Sequence, residues 1–144
     1  DAILNKPGRL TPEEFEIMKT HTTIGADMLL ELGSHHAGNA LMEYAYQIAR
    51  WHHERWDGKG YPDGLKGDEI PIAAQVVSVA DVYDALTSVR VYKDAIPHEE
   101  AIQMILDGKC GTFNPLLLDC LLEVQDQIAE TLARPADVVA FPTI

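Results

Sequence analysis

Residues 11–33 spell one long helix from start to stop, and that pattern constrains the fold more than any other. Thr11-Pro12-Glu13-Glu14 supplies an N-cap hydroxyl, a proline at the first helical position and Glu14 placed to close a capping box. Apolar residues then recur at Phe15, Met18, Ile24, Met28 and Leu32, and Gly33 ends the pattern. The same punctuation repeats downstream. A second helix starts near Asn39, and its face of Leu41, Ala45 and Ile48 leads on to His52. A third segment, Ile72 to Leu86, opens with Pro71. Its VVSV run suits a strand, but Val76, Ala80, Tyr83 and Leu86 keep the helical period and no partner strand lies nearby. A fourth helix is expected from Pro97 to Leu106, stopped by Gly108. A fifth runs from Asn114-Pro115 through Leu117, Leu121 and Ile128 to Leu132. The tail, 133–144, carries no such pattern. The expected fold is all-α, with about five helices in a single domain spanning 1–144.

Composition narrows the function classes. The 144 residues suit one domain, and 47% hydrophobic residues can bury a core. The formal charge is −12, from 11 Lys+Arg against 23 Asp+Glu. That balance excludes a polymeric nucleic acid or an anionic membrane surface as partner, since both reward clustered cations. It leaves room for a small anion where a metal or a few local cations reverse the field. Cys110 and Cys120 make no disulfide framework, which suits a reducing cytoplasm. No apolar run approaches membrane-spanning length. The opening DAILNKPGRL has neither a start Met nor a signal pattern, and reads as the interior of a longer protein.

The chemistry lies among histidines and one carboxylate. His21 falls between Met18 and Ile24 on the apolar face of the first helix, where an imidazole needs a hydrogen bond or a metal. A satisfied core histidine is the simpler reading of that residue alone. His52-His53 closes the second helix at the mouth of a glycine-rich loop, and two adjacent imidazoles can serve two metals, one each. Asp81 sits in the apolar stretch SVADVYDAL, where a carboxylate needs a partner or a cation. Neutral imidazoles plus a carboxylate suit zinc, manganese or non-haem iron. His35, His36 and His98 read as solvated. The loop itself, Arg55 to Ile70, is roughly 16 residues long with Gly58, Gly60, Gly64, Gly67 and Pro62, and unstructured loops of that length usually carry function.

The string HHERWDGKGYPDG, continued by LKGDEIP, closely resembles the HD-GYP family of bacterial cyclic-di-GMP phosphodiesterases, a branch of the HD-domain metal-dependent phosphohydrolases. Its signature is Gly60-Tyr61-Pro62, preceded by His52-His53. Lys19-Thr-His21-Thr-Thr-Ile-Gly25, the stretch Val79 to Leu86 and Arg90-Val-Tyr92-Lys93 match further motifs in the family's order. The resemblance implies an HD-domain helical bundle in which His21, His52, His53 and Asp81 are metal ligands of a centre holding two or three iron or manganese ions. Arg90 and Lys93 would hold the phosphodiester, and Tyr61 would shape the site around the guanine nucleotide. No side-chain nucleophile is called for, because metals can activate water and stabilise both attacking and leaving oxygens.

The family's His-Asp pair belongs just upstream of Asp1. The segment is therefore expected to lack its N-terminal helices, to hold at most one metal loosely, to be inactive by itself and to form a homodimer through uncovered apolar surface. The complete protein is expected to hydrolyse cyclic-di-GMP to pGpG or GMP as a cytoplasmic signalling output. The competing readings are a non-catalytic module docking a diguanylate cyclase domain through the GYP loop, and a generic HD phosphohydrolase acting on ordinary nucleotides.

Overall fold

The computed structural model describes residues 3, 6, 8–33, 39–89 and 95–133. His35, His36, Arg90 and Lys93 lie outside them. Five α-helices run in order: α1 (Pro12–Gly33), α2 (Ala40–Trp51), α3 (Ile72–Thr87), α4 (His98–Leu106) and α5 (Pro115–Ala133), with a short 3₁₀ turn at Gly67–Glu69. There is no strand among the described residues. The fold is all-α, and the VVSV run is helical.

The starts and stops follow their chemistry. At α1 the Glu14 amide donates to Thr11 Oγ1 at 3.2 Å while the Thr11 amide donates to Glu14 Oε2 at 2.7 Å, the reciprocal capping box. Asn39 caps α2 through the Leu41 amide, and Asn114 caps α5 through the Leu116 amide.

Consecutive helices pack on one another, α1 on α2, α2 on α3, α3 on α4 and α4 on α5. The core lies at the α3–α5 end. Val79, Val82, Tyr83 and Leu86 meet Ala101, Ile102, Ile105, Phe113 and Leu121 there. Burying each large aliphatic side chain contributes about 1.5–3 kcal/mol.

Two faces differ from the expected ones. On α1 the buried residues are Thr22 and Ala26, whereas Phe15, Ile24, Met28 and Leu32 are exposed. Where α1 meets α2, Gly25 faces Ala49 and Gly33 faces Met42, while the bulky side chains of that stripe stay exposed. On α3, Val76 and Ala80 are exposed, and Val79 and Val82 take the core face. That helix is apolar on more than one side, so its period cannot select the inward face. His98 is not solvated either. Its Nδ1 lies 2.8 Å from the Tyr83 hydroxyl, tying the first turn of α4 to α3.

Candidate metal centre

Three histidines meet where the middle of α1 crosses the end of α2. His21 Nδ1 lies 2.7 Å from the Met18 carbonyl, and His52 Nδ1 lies 2.8 Å from the Ile48 carbonyl. A carbonyl oxygen only accepts, so both Nδ1 atoms carry a proton, and in the neutral ring each Nε2 offers its lone pair. Those Nε2 atoms face each other at 3.3 Å. The His53 ring is 4.1 Å from that of His52 and 5.0 Å from that of His21. One nitrogen from each residue lies within 4.8 Å of the other two.

Burial favours a neutral His53 ring. Burial, with help from His52, His21 and Arg55, holds His53 down to a pKa of about 3. It is therefore uncharged at neutral pH, the form that ligates metal. His21 itself is exposed, not covered by its apolar neighbours.

The GYP loop roofs this cluster. Tyr61 stacks on His53 with ring centroids 4.7 Å apart, and meets Phe15 edge-on at 6.1 Å. Lys19 Nζ is 5.7 Å from the Tyr61 centroid. Burial pushes the Tyr61 phenol up to about 12, with Asp81 adding to the rise and Arg55 opposing it, so the ring keeps its O–H as a neutral donor. Asp81 is half-buried on α3 and outside the histidine cluster, but its charge acts on both Tyr61 and Arg55.

Backbone contacts seat the loop. Tyr61 N donates to the His53 carbonyl at 3.3 Å, and Trp56 N donates to the Thr112 carbonyl at 2.9 Å. At Gly60 any Cβ would collide with Arg55 N, Glu54 Cα and the His53 carbonyl, so only glycine fits. Asp63 receives Arg50 at both carboxylate oxygens, 2.8 and 3.0 Å, and Trp51 Nε1 at 2.8 Å. These bonds, Arg50 foremost, hold Asp63 below the usual carboxylate range.

Three residues near the cluster have no role assigned from the sequence, although Lys19 belongs to the motif around His21. Glu54 is 2% exposed and Arg55 is half-buried, donating to Ser78 Oγ at 2.7 Å, while Lys19 stands beside Tyr61. The signal for Glu54 was its place directly after the histidine pair. Trp56 packs inward beside Ile70 and Phe113, and Tyr61 is half-buried, so neither stands out as an exposed docking anchor.

The donor set fits a divalent cation. Two nitrogens bound to one ion at about 2.1 Å stand roughly 3.0–3.4 Å apart at ligand angles of 90–109°. The observed His21–His52 separation matches, and each ring's other nitrogen is held by a carbonyl that fixes the ring's orientation toward an ion.

Comparison with known proteins agrees with this chemistry. The family model described as HD domain matches residues 1–115. A cyclic di-GMP phosphodiesterase of Thermotoga maritima is 47% identical over 139 residues, which are 95% of this chain and 36% of that protein. A cyclic di-GMP phosphodiesterase of Vibrio cholerae is 42% identical over 95% of this chain and 28% of its own length. A 3′3′-cGAMP-specific phosphodiesterase from the same organism is 41% identical, again over 95% of this chain and 25% of its own length. The chain thus spans about a third or less of the length of these relatives. It belongs to the HD-domain family, in its HD-GYP branch.

Proposed function

We propose that the full natural protein containing this chain is a metal-dependent phosphodiesterase of the bacterial cytoplasm that hydrolyses cyclic-di-GMP. The observation that carries this reading is the pair of Nε2 atoms facing each other at 3.3 Å, each ring's Nδ1 held by a backbone carbonyl. His21, His52 and His53 are assigned as ligands, with Asp81 completing the set from α3. Iron or manganese is the assigned metal, on the family's precedent.

A bound divalent ion supplies Lewis acidity and an activated water for attack on phosphorus. The chain's own residues bind and orient. Tyr61 is a neutral hydroxyl donor fixed over His53 at the edge of the cluster. Arg90 and Lys93, outside the described residues, are assigned to the phosphodiester, Arg90 as a bidentate fork and Lys93 as a point charge. On a chain of charge −12 such local cations are needed to hold a dianionic substrate.

The test is turnover by the full natural protein, purified without oxygen and supplied with Fe²⁺ or Mn²⁺. Cyclic-di-GMP is expected to be cleaved, faster than 3′,3′-cGAMP, with ordinary mononucleotides left intact. Failure to cleave any cyclic dinucleotide contradicts the reading, and turnover of mononucleotides alone would make this a generic HD phosphohydrolase.

A further inference from the structure

Glu54 has no task in the chemistry just assigned, yet it is the most deeply buried carboxylate at the site, 2% exposed. It is not a member of the histidine cluster. Its two oxygens are used unequally. Oε1 accepts the backbone N–H of Asp63 at 2.7 Å and of Gly64 at 3.0 Å, while Oε2 is buried with no hydrogen-bond partner among the described residues. The two bound amides follow directly on Tyr61-Pro62. On the other side of that dipeptide, Gly60 is pressed against the backbone of residues 53–55, and the Tyr61 amide donates to the His53 carbonyl. The loop is thus fastened before and after Tyr61 to the same short segment that carries His53.

We propose that Glu54 is the positioning residue for Tyr61: a single acceptor oxygen that clamps the 63–64 backbone and so keeps the phenol ring on His53. The proposal deepens the phosphodiesterase reading, since it gives Tyr61 a fixed place beside the substrate. It also makes a specific chemical demand. One acceptor at full glutamate reach is required, and a second oxygen or a negative charge is not. Trp56, Ile70 and Phe113 line the space beside Glu54 together with Gln75, Ser78 and Asn114, and none of them bonds Oε2. Glutamine keeps one acceptor oxygen at the same reach, and with it the clamp. Aspartate keeps the charge but ends one methylene, about 1.5 Å, short of the amides. A carboxylate that moved a proton or bound metal would show the reverse order, with aspartate retaining more than glutamine.

The experiment compares Glu54→Gln and Glu54→Asp in the full natural protein by peptide-resolved hydrogen exchange and steady-state kinetics with Mn²⁺. In Glu54→Asp, exchange across residues 61–66 is expected to rise about tenfold or more, from loss of the hydrogen bonds to the 63 and 64 amides, with residues 101–105 of α4 unchanged. KM for cyclic-di-GMP is expected to rise by a similar factor with kcat within about threefold, whereas a merely destabilised fold would lower kcat and leave KM in place. Glu54→Gln is expected to stay within about threefold of the natural protein in both readouts. Unchanged exchange in Glu54→Asp, or a Gln variant as damaged as the Asp variant, overturns the proposal. The exchange pattern does not depend on activity, so the expected pattern in a protein that cleaves no cyclic dinucleotide upholds the clamp and rejects the phosphodiesterase reading instead.

Discussion

Replacing His21, His52 or His53 singly by alanine in the full natural protein is expected to weaken Mn²⁺ binding about 100-fold or more. Loss of an outer-shell partner alone typically costs 10–100-fold, and each of these changes removes a direct donor. The three nitrogens converge within 4.8 Å, and the tautomers of His21 and His52 are set before any metal arrives. Little reorganisation is left to oppose binding, so each donor contributes nearly its whole interaction. Isothermal titration of each variant checks this, and unchanged affinity in any one removes that residue from the ligand set. His98 is a useful control. It pairs with Tyr83 in the α3–α4 contact and does not belong to the cluster, so His98→Gln is expected to leave metal affinity unaltered.

Gly60→Ala is expected to destabilise the protein by roughly 1–3 kcal/mol and to lift Tyr61 from His53. The added methyl meets backbone on every near side, Arg55 N, Glu54 Cα and the His53 carbonyl, and backbone cannot rotate aside as a side chain can. The loop must therefore open. Gly64 sits in the left-handed region at φ +69° with the nearest obstacle, the Gly58 carbonyl, 3.6 Å away. Gly64→Ala is accordingly expected to cost about 1–2 kcal/mol through backbone conformation alone, without moving Tyr61. Denaturant midpoints measure the two energies, and the Tyr61 ring signals in an NMR spectrum report whether the stacking is lost. Equal stability and unchanged ring signals in Gly60→Ala would show that the loop is not pressed onto residues 53–55.

The five helices were legible because their ends are written in local chemistry: Thr11 with Glu14, Asn39 and Asn114 each bind the amides that their positions imply. Which face of each helix turns inward was not. Phe15, Ile24, Met28 and Leu32 share a stripe by spacing, but Thr22 and Ala26 are the residues buried, and α1 meets α2 at Gly25 and Gly33. Spacing reports periodicity and says nothing of how near a neighbour can come. At the site, the histidines stood out because imidazoles in apolar stretches are costly, and the loop because four glycines break the helical period. Glu54 was invisible for the opposite reason. A glutamate in a polar string reads as solvated, and only the fold of the loop over it reveals that its partners are amides ten residues or fewer away in sequence. Asp81 stands out in the sequence as a carboxylate in an apolar helix, and in the fold its charge acts on Tyr61 and Arg55 from outside the histidine cluster.

Anomalous diffraction from crystals of the full natural protein grown with Mn²⁺ decides whether His21, His52 and His53 together hold a divalent metal. A manganese peak is expected between the three imidazoles, about 2.0–2.3 Å from Nε2 of His21 and of His52. No peak there, or a peak whose neighbours exclude these three histidines, would contradict that assignment.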